Sequence, residues 1–212
     1  MRSPIYWSGW AYRAAMHAVH GKSLGRRYAH ITGFISKGDR VLDVGCGTGT
    51  LQSHLKGNEY LGIDLNEDFI RYAKGKKRNV EVRDALKFRN YGDYDVCVMM
   101  DFLHHINPKH GGFVKRVLSQ VKKKVIICEP FEVPGRHSLA KKFINFIDDD
   151  GMNHSGEWME KGELIRFYEG LHPARIDEIS QAVIAVIETK NNGNGGGHNG
   201  HRRAPETDSL KT

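Results

Sequence analysis

Three features typical of membrane or secreted proteins are missing or scarce in this 212-residue sequence: a long apolar run, a signal peptide and paired cysteines. No apolar run approaches the roughly 18–20 residues that a membrane-spanning helix needs. No apolar core of a signal peptide follows Met1. The three cysteines, Cys46, Cys97 and Cys128, are odd in number and suit reduced thiols better than a disulfide framework. These absences predict a cytoplasmic protein with no transmembrane segment.

The net charge of the chain does not decide which class of partner it binds. The formal net charge is +7, and the segment 190–212 supplies +2 of it through four cations and two anions. A balance of this size permits binding to nucleic acid or to anionic lipid without requiring either. Hydrophobic residues at 39% and charged residues at 27% describe a globular protein long enough to bury a core.

Composition divides the chain into three parts. Residues 1–37 form a predicted N-terminal helical cap whose first segment carries Tyr6, Trp7 and Trp10. Packing on the rest of the protein is the favoured role for this cap, and a lid or a peripheral contact with a membrane surface is the alternative. Residues 38–189 form the main domain. Residues 190–212 are rich in glycine and asparagine, lack apolar periodicity and are predicted to be disordered.

A strand followed by a glycine-rich turn organises the main domain. Val41, Leu42 and Val44 predict a short buried strand, and the alternating glycines that follow predict a turn at the start of a helix. Glycine permits backbone angles closed to other residues and lets main-chain N–H groups approach a ligand. The spacing G-x-G-x-G differs from the G-x-G-x-x-G of dinucleotide sites, so a dehydrogenase ranks last among the functions considered.

The segment from Asp43 to Gly49 resembles the first motif, (D/E)-x-G-x-G-x-G, of the class I S-adenosylmethionine-dependent methyltransferases. The match has no gaps. The aromatic N-terminal segment and Glu129-Pro130-Phe131 are also similar to uncharacterised bacterial and archaeal members. This resemblance implies S-adenosylmethionine as cofactor and S-adenosylhomocysteine as product. It also implies cofactor-binding roles for five residues of the motif, namely Asp43, Gly45, Cys46, Gly47 and Gly49.

Apolar runs and turn signals alternate through the rest of the domain. They predict further strands at 60–64, 80–84, 94–100, 125–128, 176–179 and 183–187, the last two pairing as an antiparallel hairpin. Asn66 is predicted to cap one helix, and Asn107-Pro108 to begin the next. The predicted fold is α/β, with a Rossmann-like seven-stranded sheet that is mostly parallel, an antiparallel last strand and helices on both faces. The resemblance, which covers 40–189, implies the same architecture.

Ligands of such sheets bind outside the carboxyl ends of the strands, so the residues that end each strand are the site candidates. Asp64 ends the second strand, 19 residues after Gly45, and an ionised carboxylate there can accept hydrogen bonds from both ribose hydroxyls. The same group would also serve NAD. The resemblance implies a cofactor contact for Leu65 as well. It also implies that Asp84-Ala85, which ends the third strand, contacts the adenine amino group.

The fourth strand ends in Asp101-Phe102-Leu103-His104-His105-Ile106, which resembles a segment frequent in small-molecule methyltransferases of this class. The resemblance implies that Asp101 and Phe102 line the methionine end of the cofactor. His104 and His105 are candidate general bases, because imidazole titrates near neutral pH. One of two adjacent histidines commonly faces the protein instead, held by a hydrogen bond. The acidic run Asp148 to Asp150 is interpreted as a loop, and no metal site is predicted.

These observations predict a methyltransferase acting on a small-molecule acceptor, including a lipid-like one. A methyltransferase of RNA or other nucleic acid is the first alternative, suggested by the net charge and by Lys74-Gly75-Lys76-Lys77-Arg78. The sequence lacks the Asn/Asp-Pro-Pro-Tyr segment used for amino-group methylation of bases, and no separate RNA-binding module is visible. The second alternative is a nucleoside-binding protein of the same fold without catalysis.

Overall fold

A single sheet of seven strands lies at the centre of the part of the chain that the computed structural model describes, residues 23–131 and 159–190. The strand order is β3-β2-β1-β4-β5-β7-β6. In chain order the strands are β1 Arg40–Val44, β2 Glu59–Asp64, β3 Val80–Val82, β4 Val96–Met100, β5 Lys124–Pro130, β6 Arg175–Ile179 and β7 Ala182–Glu188.

The direction of the strands follows the prediction. Strands β1 to β5 are parallel to one another, whereas β7 is antiparallel to both of its neighbours, β5 and β6. Strand β4, with the sequence VCVMM, is buried at all five positions, as expected for a central parallel strand covered on both faces. The mostly parallel sheet with a reversed last strand is therefore confirmed.

Helices cover both faces of the sheet, as predicted. Residues 23–32 are helical (α1), and the later helices are α2 Glu67–Gly75, α3 His110–Leu118 and α4 Lys161–Glu169. Helices α1 and α2 contribute Ile31 and Ile70 to the core on one face. Helices α3 and α4 contribute Val114 and Leu164 to the core on the other face. Among the described residues, short 3-10 helices occupy the connections at Thr50–His54, Asn90–Asp93 and Leu103–Ile106.

The helix starts and strand ends predicted from short sequence signals were partly right. The Asn66 side chain accepts hydrogen bonds from the N–H groups of Asp68 and Phe69, so it caps α2 as predicted.

The prediction for Asn107-Pro108 is wrong, because α3 begins only at His110, and Lys109 precedes its first turn. The glycine-rich turn leads into a 3-10 helix of five residues, and β3 ends at Val82 instead of continuing to residue 84.

Several sequence predictions concern residues outside the described ranges. These are the aromatic segment within 1–22, the acidic run Asp148 to Asp150, and nearly all of the 190–212 tail. Residues 23–37 do lie within the described part, and Ile31 is fully buried against the sheet. In the described part of the chain, none of the helices is long and apolar enough to cross a membrane.

Candidate cofactor site at the carboxyl edge of the sheet

The carboxyl ends of the parallel strands meet at one edge of the sheet, and most of the predicted site residues lie there. Strand β1 ends at Val44, β2 at Asp64, β3 at Val82 and β4 at Met100. The chain then leaves β1 to reach β2 on one side, whereas β4 pairs with β1 on the other. This reversal of strand order beside β1 is the position at which doubly wound sheets bind nucleotide-like ligands.

The glycine-rich turn is fastened to β2 by main-chain hydrogen bonds. The N–H groups of Gly45 and Cys46 donate to the Ile63 carbonyl over 2.9 and 3.0 Å. Gly45 has φ of 67°, and a Cβ atom there would lie 2.5 Å from Cδ2 of Phe102. A side chain at this position is therefore excluded by both conformation and space, which explains the glycine without reference to a ligand.

Asp64 joins the glycine-rich turn to the start of α2. Its Oδ2 accepts from the Gly47 N–H over 2.8 Å, and its Oδ1 accepts from the Asn66 N–H over 2.8 Å. A carboxylate oxygen has two lone pairs and can accept from more than one donor, including hydroxyl groups. The carboxylate is thus held in a fixed orientation at the end of β2, in a manner that fits ribose binding.

An apolar surface lies beside Asp64. Leu65 follows Asp64 in the chain and is 47% exposed. Val82, the register partner of Asp64 on β3, is 44% exposed. These are the two large hydrophobic side chains recorded as exposed within the described ranges. Exposed apolar groups next to a polar anchor suit a flat, aromatic ring such as adenine.

Asp43 lies beneath the turn, buried and hydrogen bonded. Burial raises the pKa of Asp43 from its ordinary value of 3.8 to about 7, with the nearby Asp64 acting in the same direction. The Tyr60 hydroxyl donates to Asp43 Oδ2 over 2.7 Å and opposes the rise. A Cβ atom at Gly62 would meet both Cys46 Sγ and the Tyr60 hydroxyl at 2.7 Å, so this glycine makes room for the whole arrangement.

Asp84 and Ala85 lie just beyond β3, and both accept hydrogen bonds from other groups of the protein. Asp84 Oδ1 accepts from the Leu86 N–H over 2.8 Å, which is the local turn bond typical of aspartate. The Ala85 carbonyl accepts from the Tyr91 hydroxyl over 2.8 Å and from Arg116. These contacts account for both residues structurally, and their role at the adenine amino group stays a prediction.

Asp101 forms an ion pair with Arg27, a residue that the sequence did not single out. Arg27 comes from α1, is 1% exposed, and donates from Nη2 to Asp101 Oδ1 and from Nε to Cys128 Sγ over 3.3 Å. Asp101 has φ of 54°, which few residues other than glycine adopt. Burial is the largest influence and acts to lower the pKa of Arg27, but the charges and hydrogen bonds of Asp101 and Cys128 together outweigh it, so the net shift is upward.

Glu129 holds the turn that follows Asp101. Its Oε1 accepts from the N–H groups of Phe102 and Leu103, both over 2.7 Å, and its Oε2 lies 2.7 Å from His104 Nδ1. His104 is buried, while His105 is half-buried with its ring centroid 4.1 Å from that of His104. The structure thus brings both candidate bases into one turn, in which Glu129 contacts the ring of His104.

Arg27 and Glu129 could have been suspected from the sequence. Each is a charged residue within an apolar pattern, Arg27 between Leu24 and Ile31 of a helix and Glu129 at the end of a hydrophobic strand. Buried charges require partners, so such positions are informative. As regards metals, the described residues contain no group of three or more His, Cys, Asp or Glu side chains able to hold an ion.

The sheet order, the glycine-rich turn after β1 and the acidic residue ending β2 are those of the class I S-adenosylmethionine-dependent methyltransferases. Residues 42–125 match the family model described as a methyltransferase domain. This match covers less than half of the chain, and the fold agrees with a methyltransferase of that class, whose cofactor is S-adenosylmethionine. The residues fit this cofactor, with glycine where a Cβ would fill the turn and a fixed carboxylate beside an exposed apolar surface.

Part of the chain is also similar to curated proteins that are named as methyltransferases. The chain is similar to a ubiquinone biosynthesis O-methyltransferase of Bordetella avium, with 33% identity over 96 residues, 41% of this chain and 39% of the relative. It is similar to a protein of the same name from Acinetobacter baylyi, with 27% identity over 128 residues, 55% of this chain and 52% of the relative. The chain therefore spans only about two fifths to one half of the length of these relatives.

Two solved structures share the fold at lower sequence identity. Magnesium protoporphyrin IX methyltransferase from Synechocystis, with bound SAH, has a TM-score of 0.59 and 17% identity, covering 82% of this chain and 85% of that one. A SAM-dependent methyltransferase from Archaeoglobus fulgidus has a TM-score of 0.62 and 20% identity, covering 84% and 99%.

Proposed function

We propose that this protein transfers the methyl group of S-adenosylmethionine to a hydroxyl group of a small-molecule acceptor. The observation that carries the proposal is the fixed Asp64 carboxylate, 2.8 Å from the Gly47 N–H, at the carboxyl edge of the sheet. The names of the curated relatives, which are O-methyltransferases of ubiquinone biosynthesis, favour a hydroxyl as the acceptor.

Each part of the site has a role in this proposal. The main chain of Gly45 and Gly47 lets the cofactor approach closely, Asp64 accepts hydrogen bonds from its ribose, and Leu65 covers its adenine ring. Asp101 and Phe102 lie at the methionine end. Asp84 and Ala85 approach the adenine amino group, and Asp43 and Cys46 support the turn from below.

S-adenosylmethionine supplies a methyl carbon that is already electrophilic because it is bonded to a sulfonium. The protein therefore has to align the acceptor oxygen with that carbon, and much of the rate enhancement can come from proximity and orientation. A hydroxyl acceptor also loses a proton during the reaction, and His104 and His105 are the proposed bases that receive it.

Titration calorimetry with S-adenosylmethionine and S-adenosylhomocysteine tests the cofactor assignment. We expect the wild type to bind both, and Asp64→Ala to bind at least roughly tenfold more weakly, because hydrogen bonds to a charged group are worth about 1.5–3 kcal/mol. Glu59→Ala is the matched control, since Glu59 is exposed at the opposite end of the same strand. No binding by the wild type would refute the proposal, and equal affinity in Asp64→Ala would remove the ribose role.

The acceptor is tested by transfer of a labelled methyl group. Hydroxyl-bearing quinone precursors, the corresponding amines and total RNA are offered in parallel with the same labelled cofactor. Label in the hydroxyl compounds is expected. Label in RNA alone would support the nucleic-acid alternative, and cofactor binding without transfer to any of them would support a binding protein without catalysis.

A further inference from the structure

Glu129 makes an unusual set of contacts for a buried acid. It is 1% exposed near the end of β5, and three donors from one short turn converge on its carboxylate. The main-chain N–H groups of Phe102 and Leu103 donate to Oε1, and the ring of His104 meets Oε2 through Nδ1 over 2.7 Å. Two main-chain groups therefore fix the carboxylate, and the carboxylate fixes the imidazole.

This geometry decides which ring nitrogen carries the proton. An ionised carboxylate has no hydrogen to donate, so His104 Nδ1 must be the donor in the contact with Glu129. In the neutral ring the lone pair then resides on Nε2. A histidine in water exchanges between both tautomers, whereas the fixed carboxylate selects one and also sets the orientation of the ring.

We propose that Glu129 is a positioning residue that fixes the tautomer of His104, so that Nε2 is the nitrogen that takes the proton of a hydroxyl acceptor. This inference rests on the proposed function and specifies it further. As the oxygen–methyl bond forms, the electron pair of the broken carbon–sulfur bond stays on sulfur, and the hydroxyl proton moves to His104 Nε2. The resulting imidazolium is stabilised by the Glu129 carboxylate and later releases the proton to water.

The opposing explanation is that Glu129 only holds the turn at Phe102 and Leu103. The substitution Glu129→Gln separates this role from the fixing of the His104 tautomer. In Glu129→Gln the amide oxygen can still accept from the N–H groups of Phe102 and Leu103. The amide nitrogen, however, would donate to His104 Nδ1 and force the ring proton onto Nε2. The turn is retained while the tautomer is reversed. In Glu129→Ala both functions are lost.

The experiment is long-range ¹H–¹⁵N spectroscopy of the ¹⁵N-labelled protein at about pH 9, above the usual titration range of imidazole. The His104 signals are assigned by their loss in His104→Gln. We expect the Nδ1–H pattern in the wild type and the Nε2–H pattern in Glu129→Gln. Glu169→Gln, an exposed acid at the end of α4, is the control and should leave the wild-type pattern unchanged.

Cofactor affinity reports separately on the integrity of the turn. The dissociation constant for S-adenosylmethionine should stay within about twofold in Glu129→Gln and rise about tenfold in Glu129→Ala. With the acceptor found best in the labelling screen, kcat of Glu129→Gln should fall about 100-fold, the size typical of lost acid–base catalysis, with KM for the cofactor unchanged.

Three results would overturn the proposal. The first is an Nε2–H or doubly protonated His104 in the wild type, which does not depend on Glu129→Gln and so decides the matter even if that variant does not fold. The second is an unchanged tautomer in folded Glu129→Gln. The third is a reversed tautomer with full kcat, which would leave Glu129 a structural role only. Failure of the wild type to bind cofactor would instead refute the proposed function, and the spectra distinguish the two cases.

Discussion

Arg27 and Asp101 form an ion pair that links helix α1 to the carboxyl end of the central strand β4. The guanidinium is almost completely buried, and the Asp101 side chain retains 20% of its exposure. The pair fixes an aspartate with positive φ at the methionine end of the proposed cofactor site. Helix α1 is thereby part of the site's support, although it precedes the glycine-rich turn in sequence.

Removal of the Arg27 charge should destabilise the protein. Arg27→Met keeps much of the side-chain length but leaves Asp101 without its cation, and breaking a buried pair costs about 3–5 kcal/mol. Because Asp101 is partly exposed, we expect a loss of about 3 kcal/mol in the free energy of unfolding, measured by urea denaturation. Arg26→Met, at the exposed neighbouring position, is the control. Equal midpoints for the two variants would show that the pair contributes nothing.

A methyl group at Gly45 should disable the cofactor site. The added Cβ would lie 2.5 Å from the Phe102 ring, and the residue has φ of 67°. We expect Gly45→Ala to lower the affinity for S-adenosylmethionine at least roughly tenfold by calorimetry, since the turn or Phe102 must move. Gly75→Ala serves as control because a Cβ there meets nothing within 4 Å. If both variants bind with wild-type affinity, the close packing at Gly45 has no part in binding.

Gly62 offers a test of the packing beneath the turn. A Cβ atom at this position would lie 2.7 Å from Cys46 Sγ, and an overpacked core commonly loses about 1–3 kcal/mol. Gly62→Ala should therefore lower the thermal midpoint. The double variant Gly62→Ala/Cys46→Ala should recover part of the loss, because the smaller side chain frees space. Additive losses in this double-mutant cycle would contradict direct contact between the two positions.

Asp43 should make stability fall as the pH rises toward neutrality. Burial raises its pKa from 3.8 to about 7, so between these values the folded protein holds a proton that the unfolded chain releases. The contribution of Asp43 is therefore full below about pH 4 and is lost as the pH rises through 7, with a total on the order of 4 kcal/mol.

Comparison with Asp43→Asn isolates this effect, because the amide oxygen can still accept from the Tyr60 hydroxyl. Thermal midpoints of both proteins are measured from pH 4 to pH 8. The variant should gain stability relative to the wild type as the pH rises. A constant difference across the series would mean that Asp43 does not titrate in this window.

The sequence predicted what depends on local pattern. Apolar runs identified the seven strands of the described residues, Asn66 was recognised as a cap, and several candidate residues were correctly expected at the ends of parallel strands. These features are encoded within a few consecutive residues. They need no knowledge of which distant segment lies alongside.

The contacts that build the site required the structure. Glu129 meets His104 across 25 positions of the chain, and Arg27 meets Asp101 across 74. Such pairs arise only when strands β4 and β5 and helix α1 are placed side by side. The prediction at Asn107-Pro108 failed although both residues have the chemistry expected at the start of a helix. Helix α3 starts beyond them, at His110.

Strand β7 lies inside the sheet, between β5 and β6, although it is the last strand of the described residues. A ribosome delivers the chain from its N-terminus, so β5 has only β4 beside it until residues 182–188 emerge. During that interval the apolar run Val125 to Cys128 forms an open edge able to pair with another nascent chain. A protein cut short before Ala182 should consequently accumulate in aggregates instead of forming a smaller domain.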